Sequence, residues 1–251
     1  MKTPTNSFPA DRDVTVDELL GGRVRLVQLL GGLRAAIDPV FLAASIPAVA
    51  GERVLEVGCG TGAATLCLAA RVIGVRIVGF DLQDDLVALA RRSATLNGHV
   101  DSITFLCGDL LSPPSELSSA SFDHVMANPP FARAGSGRVS PDRSKALASV
   151  EGAADLAAWV AFCVGRVRPG GSVTFVHRAD RVAEVVSLFA QSGLDTTVLP
   201  VSDKRVLVQG IRSPGGTVRY LPAFDLHEAI GQFTPAAEAI LREGHALTIA
   251  R

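Results

Sequence analysis

Val54-Leu55-Glu56-Val57-Gly58-Cys59-Gly60-Thr61-Gly62 decides the fold of this 251-residue chain. A short apolar β-type run reads as a buried strand, three glycines make the turn, and a helical pattern opens near Ala63. The same alternation continues downstream. Strands are expected at 76–80, 103–107, 122–127, 172–176 and 196–199, with helices near 62–72, 83–97, 153–167 and 179–191. Regular β-α alternation predicts an α/β, doubly wound sheet of mostly parallel strands covered by helices on both faces. Two further β-type runs, 205–210 and 217–221, are expected to form its antiparallel end, and Thr234-Pro235 starts a last helix over 236–242.

Upstream, Val24-Arg25-Leu26-Val27 and Leu33-Arg34-Ala35 alternate apolar with polar across Gly31-Gly32, which predicts an N-terminal hairpin. Asp38-Pro39 then opens an apolar helix to about Val49, with Asp as its cap and Pro in the first helical position. Residues 1–15 are polar and rich in Pro, Asp and Thr, and read as a flexible tail. Residues 16–251 read as one domain, without internal repeats.

Composition excludes several classes. With 48% apolar residues, 20% charged residues and a net charge of −1, the chain is globular and is no polycation that coats nucleic acid by bulk charge. At this length roughly 70–75% of the unfolded surface can be buried, so no disulfide or structural metal is needed. The longest uncharged stretch, 57–70, is far short of the ~20 apolar residues of a membrane span. The first residues show no secretory pattern, so a cytoplasmic location is expected. Cys59, Cys67, Cys107 and Cys163 form no CxxC pair, and are expected to be buried thiols rather than metal ligands.

The glycine turn carries the first candidate site. Gly58-x-Gly60-x-x-Ala63 satisfies the dinucleotide pattern, and Asp81 stands at the right distance to bind ribose hydroxyls. Taken alone, the turn leaves two classes of cofactor open. Glu56 tilts the choice, because a carboxylate at the strand end repels a pyrophosphate but suits a ligand with a positive amino group. Acids also follow the next two strands, at Asp81 and Asp109. Each has a purely structural alternative: Asp81 can cap the following helix, and Asp109 can close a turn before Pro113-Pro114.

The second candidate is Asn128-Pro129-Pro130-Phe131, after the fourth strand and therefore at the same sheet edge. Two prolines remove two backbone donors and fix φ, so carbonyls can face a ligand. A planar exocyclic amine is a poor nucleophile, since its lone pair is delocalised into the ring. Catalysis then requires groups that favour pyramidal nitrogen. The Asn128 side-chain oxygen and the Pro129 carbonyl can accept its two N–H bonds, and Phe131 can stack on the ring. No metal and no strong base are needed.

These segments bear a resemblance. Glu56-Val57-Gly58-Cys59-Gly60-Thr61-Gly62 resembles the first motif of S-adenosylmethionine-dependent methyltransferases, and Asn128-Pro129-Pro130-Phe131 resembles the catalytic motif of those acting on amino groups. Gly22-Arg23-Val24-Arg25-Leu26, Arg34-Ala35-Ala36-Ile37-Asp38-Pro39, Ser121 through Phe131, Arg168-Pro169-Gly170-Gly171 and Lys204-Arg205-Val206-Leu207-Val208 are similar to the bacterial valine-tRNA adenine-N6 methyltransferase family. The resemblance implies a seven-stranded, Rossmann-like class I methyltransferase sheet and S-adenosylmethionine as cofactor. The implied cofactor residues are Glu56, Gly58, Cys59, Gly60, Gly62, Asp81 for ribose, Leu82 beside adenine, Asp109 and Leu110 at the adenine edge, and Asn128. The implied acceptor is the adenine 3′ of the anticodon, with Asn128, Pro129 and Phe131 catalytic.

A tRNA partner needs local cations. Arg133, Arg138, Arg143 and Lys145 stand against Asp142 in the segment after the tetrapeptide, and His177, Arg178 and Arg181 follow the fifth strand as further candidates for phosphate contacts. Other amino-group acceptors remain open: a protein glutamine, an rRNA guanine N2 or a DNA adenine N6. A nicotinamide-dependent oxidoreductase is the alternative of a different class.

Overall fold

The computed structural model describes residues 14–32, 34–118, 121–133, 148, 150–213, 215–229 and 231–249. Strands β1 (Val14–Leu19) and β2 (Val24–Leu29) pair antiparallel, and helix α1 (Ile37–Ser45) follows. Strand and helix then alternate through β3 (Arg53–Val57), α2 (Ala63–Arg71), β4 (Arg76–Asp81), α3 (Asp84–Leu96), β5 (Ile103–Cys107), α4 (Ser115–Ser118) and β6 (Phe122–Ala127). Next come α5 (Leu156–Val164), β7 (Val167–Arg178), α6 (Val182–Gln191), β8 (Leu194–Pro200), β9 (Arg205–Arg212) and β10 (Val218–Tyr220). A short hairpin, β11 (His227–Ala229) with β12 (Gln232–Phe233), and α7 (Pro235–Glu243) complete the order.

The central sheet has eight strands in the order β10-β8-β9-β7-β6-β3-β4-β5. Period-two alternation sends side chains to two cores. Val54 of β3 joins Phe41, Leu66, Val87 and Ile240 from α1, α2, α3 and α7, whereas its neighbour Leu55 joins Trp159, Val160, Val185 and Phe189 from α5 and α6. Both faces are therefore covered, as near-continuous apolar strands require. The strand order reverses between β3 and β6, the position at which open α/β sheets bind ligands.

Four expectations are corrected. The hairpin partner of β2 is β1, not residues 33–35, so Val14 and Thr15 belong to a strand and not to the tail; residues 1–13 lie outside the described residues. The reversal uses Gly21 and Gly22, whose φ values of 62° and 91° suit a tight return, while Gly32 donates to the Leu29 carbonyl and steers the chain toward α1. Asp38 lies inside the first turn of α1 and makes no cap; it binds Arg205 instead. The helix ends at Ser45, ahead of Ile46-Pro47, where the residue before proline leaves the helical region.

The sheet also has eight strands where the resemblance implied seven, and β10 is parallel. Both sides of β9 are taken by β7 and β8, to which it is antiparallel. After β9, the Asp195 carboxylate accepts from Thr217 N and Oγ1, each at 2.8 Å, and returns the chain along the open edge of β8. Finally, Cys107 is exposed, while Cys59, Cys67 and Cys163 are buried as expected.

Candidate active site

Val57 and Ala127 are register partners on β3 and β6, so the glycine turn and the Asn128-Pro129-Pro130-Phe131 turn leave the sheet side by side. A cavity of about 660 Å³ opens between them, within the range of small-molecule sites. Its wall includes Glu56, Gly58, Cys59, Gly60, Asp81, Leu82, Asp109, Leu110, Asn128, Pro129 and Phe131. Almost all the residues singled out around the two turns are thus brought together. Gly62 is the exception: it is the N-terminal boundary residue of α2 at φ 87°, and a Cβ there would stand 2.9 Å from the Phe105 ring.

The other two glycines of the turn serve different ends. A Cβ on Gly58 would lie 2.6 Å from Trp159, so glycine lets the indole pack beneath the turn. A Cβ on Gly60 would meet nothing within 4 Å, which leaves backbone open toward the cavity.

Glu56 is buried on the α2 side of the sheet, where its Oε2 accepts from Thr65 N at 2.8 Å and from the Thr65 hydroxyl. Burial pushes its carboxyl up to about 8, against the lowering effect of both Thr65 bonds. Asp81 accepts from Gly60 N and Gln83 N, each at 2.8 Å, and so holds the glycine turn to the start of α3. Burial raises its pKa as well. Asp109 accepts from Leu111 N at 2.9 Å, the turn closure that was its structural alternative. These bonds leave lone pairs free on each carboxylate.

Asn128 differs from the acids. Its Oδ1 is buried and has no hydrogen-bond partner, although buried polar atoms are nearly always paired. An acceptor oxygen held unsatisfied in a cavity wall is suited to a donor brought by a ligand.

The expected cations divide. Arg138, Arg143 and Lys145 lie outside the described residues. Arg133 is exposed and pairs with Glu184 at 2.7 Å; Arg178 pairs with Asp180, Nε to Oδ1 at 2.9 Å. His177 and Arg181 do not face solvent as phosphate contacts would. His177 is fully buried with both ring nitrogens unpartnered, and burial followed by the Arg181 charge lowers its pKa to about 4, leaving it neutral. Arg181 is buried between Glu151 and Glu184.

Residues outside the expected set complete the wall. Arg34 and Asp38 come from the N-terminal segment, Trp159 from α5 and Arg205 from β9. Arg205 bonds Asp38 at 2.7 Å across 167 residues of sequence, a proximity no local pattern announces. Trp159 sits in an apolar helix, where it reads as core.

Residues 54–151 match the model of a family described as "Methyltransferase domain". The tRNA1(Val) (adenine(37)-N6)-methyltransferase of Porphyromonas gingivalis strain ATCC 33277 is 26% identical over 224 residues, covering 85% of this chain and 84% of that protein. The chain is a class I S-adenosylmethionine-dependent methyltransferase. This methyltransferase also matches the release factor glutamine methyltransferase of Yersinia pestis, at 34% identity over 58% of this chain and 53% of that protein. A predicted O-methyltransferase from Agrobacterium tumefaciens shares the fold with a TM-score of 0.63 at 22% identity, over 85% of this chain and 99% of that one. The resemblance read from the sequence is borne out, and the nicotinamide alternative allowed by the Gly58-to-Ala63 pattern falls away.

Proposed function

We propose that this methyltransferase modifies the N6 amino group of an adenine in tRNA, the base 3′ of the anticodon of valine tRNA. The observation that carries the reading is the orphaned, buried Oδ1 of Asn128 in the cavity wall. An exocyclic amine has two N–H bonds to donate. Asn128 Oδ1 takes one and the Pro129 carbonyl the other, which draws the nitrogen toward pyramidal geometry and frees its lone pair. Phe131 stacks on the ring, worth ~1–3 kcal/mol for base-aromatic contacts. As the N–C bond forms, the C–S bond breaks, and the product ammonium is acidic enough to lose its proton to water.

S-adenosylmethionine, when bound, supplies a methyl group on a positive sulfonium. The wall fits that cofactor: Gly60 leaves open space beside its backbone, and a buried Glu56 with a raised pKa gains most from a cationic neighbour. Glu56 and the backbone of Gly58, Cys59 and Gly60 hold the methionine part, with Gly62 shaping the turn. Asp81 takes the ribose hydroxyls, Leu82 flanks adenine, and Asp109 and Leu110 meet its edge.

Residues 16–251, together with Val14 and Thr15 of β1, act as one domain, and the place of work is the cytoplasm, where tRNA is modified. Among the described residues no helix is long and apolar enough to cross a membrane. Arg133, Arg138, Arg143, Lys145 and Arg178 contact tRNA phosphates, the two described ones by exchanging a carboxylate partner for phosphate. The adenine-N6 relative, alike over most of both chains, supports this acceptor. A second reading, a protein glutamine amide, is favoured by the glutamine methyltransferase match. Labelled cofactor offered with an unmodified valine tRNA transcript, or with a glutamine-bearing release-factor domain, tests both. Label in N6-methyladenine supports the first; label confined to protein overturns it.

A further inference from the structure

Arg205, the first residue of β9, stands in the cavity wall, and the acceptor chemistry above makes no use of it. Its guanidinium carbon lies 4.3 Å from the centroid of the Phe131 ring. Nε donates to Asp38 Oδ2 at 2.7 Å, and Nη1 donates to the Lys204 carbonyl at 3.3 Å. Asp38 and Phe131 line the same cavity.

The rest of Phe131 is held as well. His177 meets the ring with centroids 5.6 Å apart and planes at 84°, and Arg181 donates to the Phe131 carbonyl at 3.3 Å. These contacts fix the backbone and one approach to the ring. Rotation about the terminal torsion of a phenylalanine is broad and costs little. A planar base gains full stacking only on a ring whose plane is set beforehand, because ordering the ring on binding subtracts from affinity.

We propose that Arg205 is a positioning residue for the acceptor: its planar guanidinium sets the plane of the Phe131 ring, and Asp38 fixes that guanidinium to the N-terminal wall. This rests on the stacking role proposed for Phe131. A guanidinium is flat and always charged, and stacks on an aromatic face while its Nε still donates to a carboxylate; a lysine ammonium in that place keeps the charge but not the plane. Asp38 acts one step further out, through Arg205.

The test is a double-mutant cycle on methylation of the valine tRNA transcript with Arg205→Ala, Phe131→Ala and both together, plus Arg205→Lys and Asp38→Asn. Arg205→Ala is expected to raise KM for the transcript roughly 2- to 30-fold, the range of a cation–π contact, with kcat and cofactor affinity nearly unchanged. In the Phe131→Ala background the same change does nothing further. Arg205→Lys recovers only part of the loss, and Asp38→Asn reproduces part of it. Additive losses, a parental KM in Arg205→Ala, or full rescue by lysine each overturn the proposal, the last because charge alone would then suffice. If the parent protein leaves the transcript unmethylated, the acceptor reading fails by itself. The positioning claim is then read from the NMR signals of the Phe131 ring, which Arg205→Ala must shift and which must stay in place if the claim is wrong. Thermal midpoints of all variants separate misfolding from both outcomes.

Discussion

Gly58 and Asn128 leave the sheet side by side, because the residues before them, Val57 and Ala127, are register partners on adjacent parallel strands. Both residues line the same cavity; in the function proposed above, one opens the turn assigned to the cofactor and the other the turn assigned to the acceptor. Their separation is set by strand pairing, about 4.8 Å between strands, and not by either loop. On that proposal, two substrates that must meet at one carbon atom are placed by the hydrogen-bonded pairing of β3 with β6.

Asn128→Ala should lower single-turnover methylation ~100–1000-fold and cofactor affinity much less. Losing one preorganised polar group costs roughly 2.7–4 kcal/mol by analogy with an oxyanion donor. Asn128→Asp, which also accepts, retains part of the rate, and Asn128→Ser retains less. Calorimetry for the cofactor and quench-flow for transfer check this; a folded Asn128→Ala protein at the parental rate removes Asn128 from the mechanism.

Asp81→Ala should weaken cofactor binding by roughly 1.5–3 kcal/mol, as for hydrogen bonds to a charged acceptor. Its bonds to Gly60 N and Gln83 N mean that the turn loosens too. Asp81→Asn separates the effects, because an amide oxygen still holds one of those N–H groups. Unchanged affinity in a folded Asp81→Ala protein would falsify the ribose assignment.

Glu56 should make stability depend on pH. Its folded-state pKa of about 8 exceeds its ordinary 4.5, so between those values the folded chain binds more protons than the unfolded one. Stability from this group is complete below about 4.5 and is lost as pH rises through about 8. Glu56→Gln flattens that part of the curve in denaturant titrations. Cofactor binding at neutral pH should release a proton from Glu56, seen as a binding heat that varies with the ionisation enthalpy of the buffer. A heat independent of buffer would separate Glu56 from the cofactor's amino group.

Gly58→Ala should destabilise the fold, by roughly 1–2 kcal/mol from the left-handed backbone alone, since φ is 73°. Contact with Trp159 adds to this. Trp159 is the single tryptophan of the chain, so its fluorescence reports the displaced ring directly, and an unchanged spectrum with parental stability would contradict the packing described.

Charge reversal of Arg133 and Arg138 to Glu should weaken RNA binding and flatten its dependence on salt, while sparing the cofactor. Equal affinity and equal slope for parent and variant would show that neither side chain meets phosphate.

What the sequence announced was local. Residues 54–62 show a strand, a turn and a helix start within one short window, and residues 122–131 place a rigid turn behind a strand. Both windows are periodic and end in Gly or Pro, the strongest local punctuation. The hairpin failed as a reading because two glycine pairs, Gly21-Gly22 and Gly31-Gly32, offer the same signal, and only pairing to Val14–Leu19 chooses between them. Asp38 looked like a helix cap because its neighbour is Pro39, yet its partner is Arg205, which no short-range rule connects to it. His177 looked exposed as a polar residue at a strand end, and lies buried against Phe131.

In the central sheet, among the described residues, the one strand that runs against both its neighbours gives the chain a point of low tolerance to insertion. Since β9 is antiparallel, Arg205 reaches the ligand edge as the first residue of a strand, through the short connection 201–204, where Val201 N donates to the Arg205 carbonyl at 2.9 Å. Side chains alternate along β9, so one added residue that shifts its register sends Arg205 to the opposite face and turns Val206, Leu207 and Val208 with it. The helical crossovers that feed the other strands can grow or shrink by a residue at their surface loops. Length variants of this enzyme should therefore be accepted between strand and helix long before they are accepted between Pro200 and Arg205.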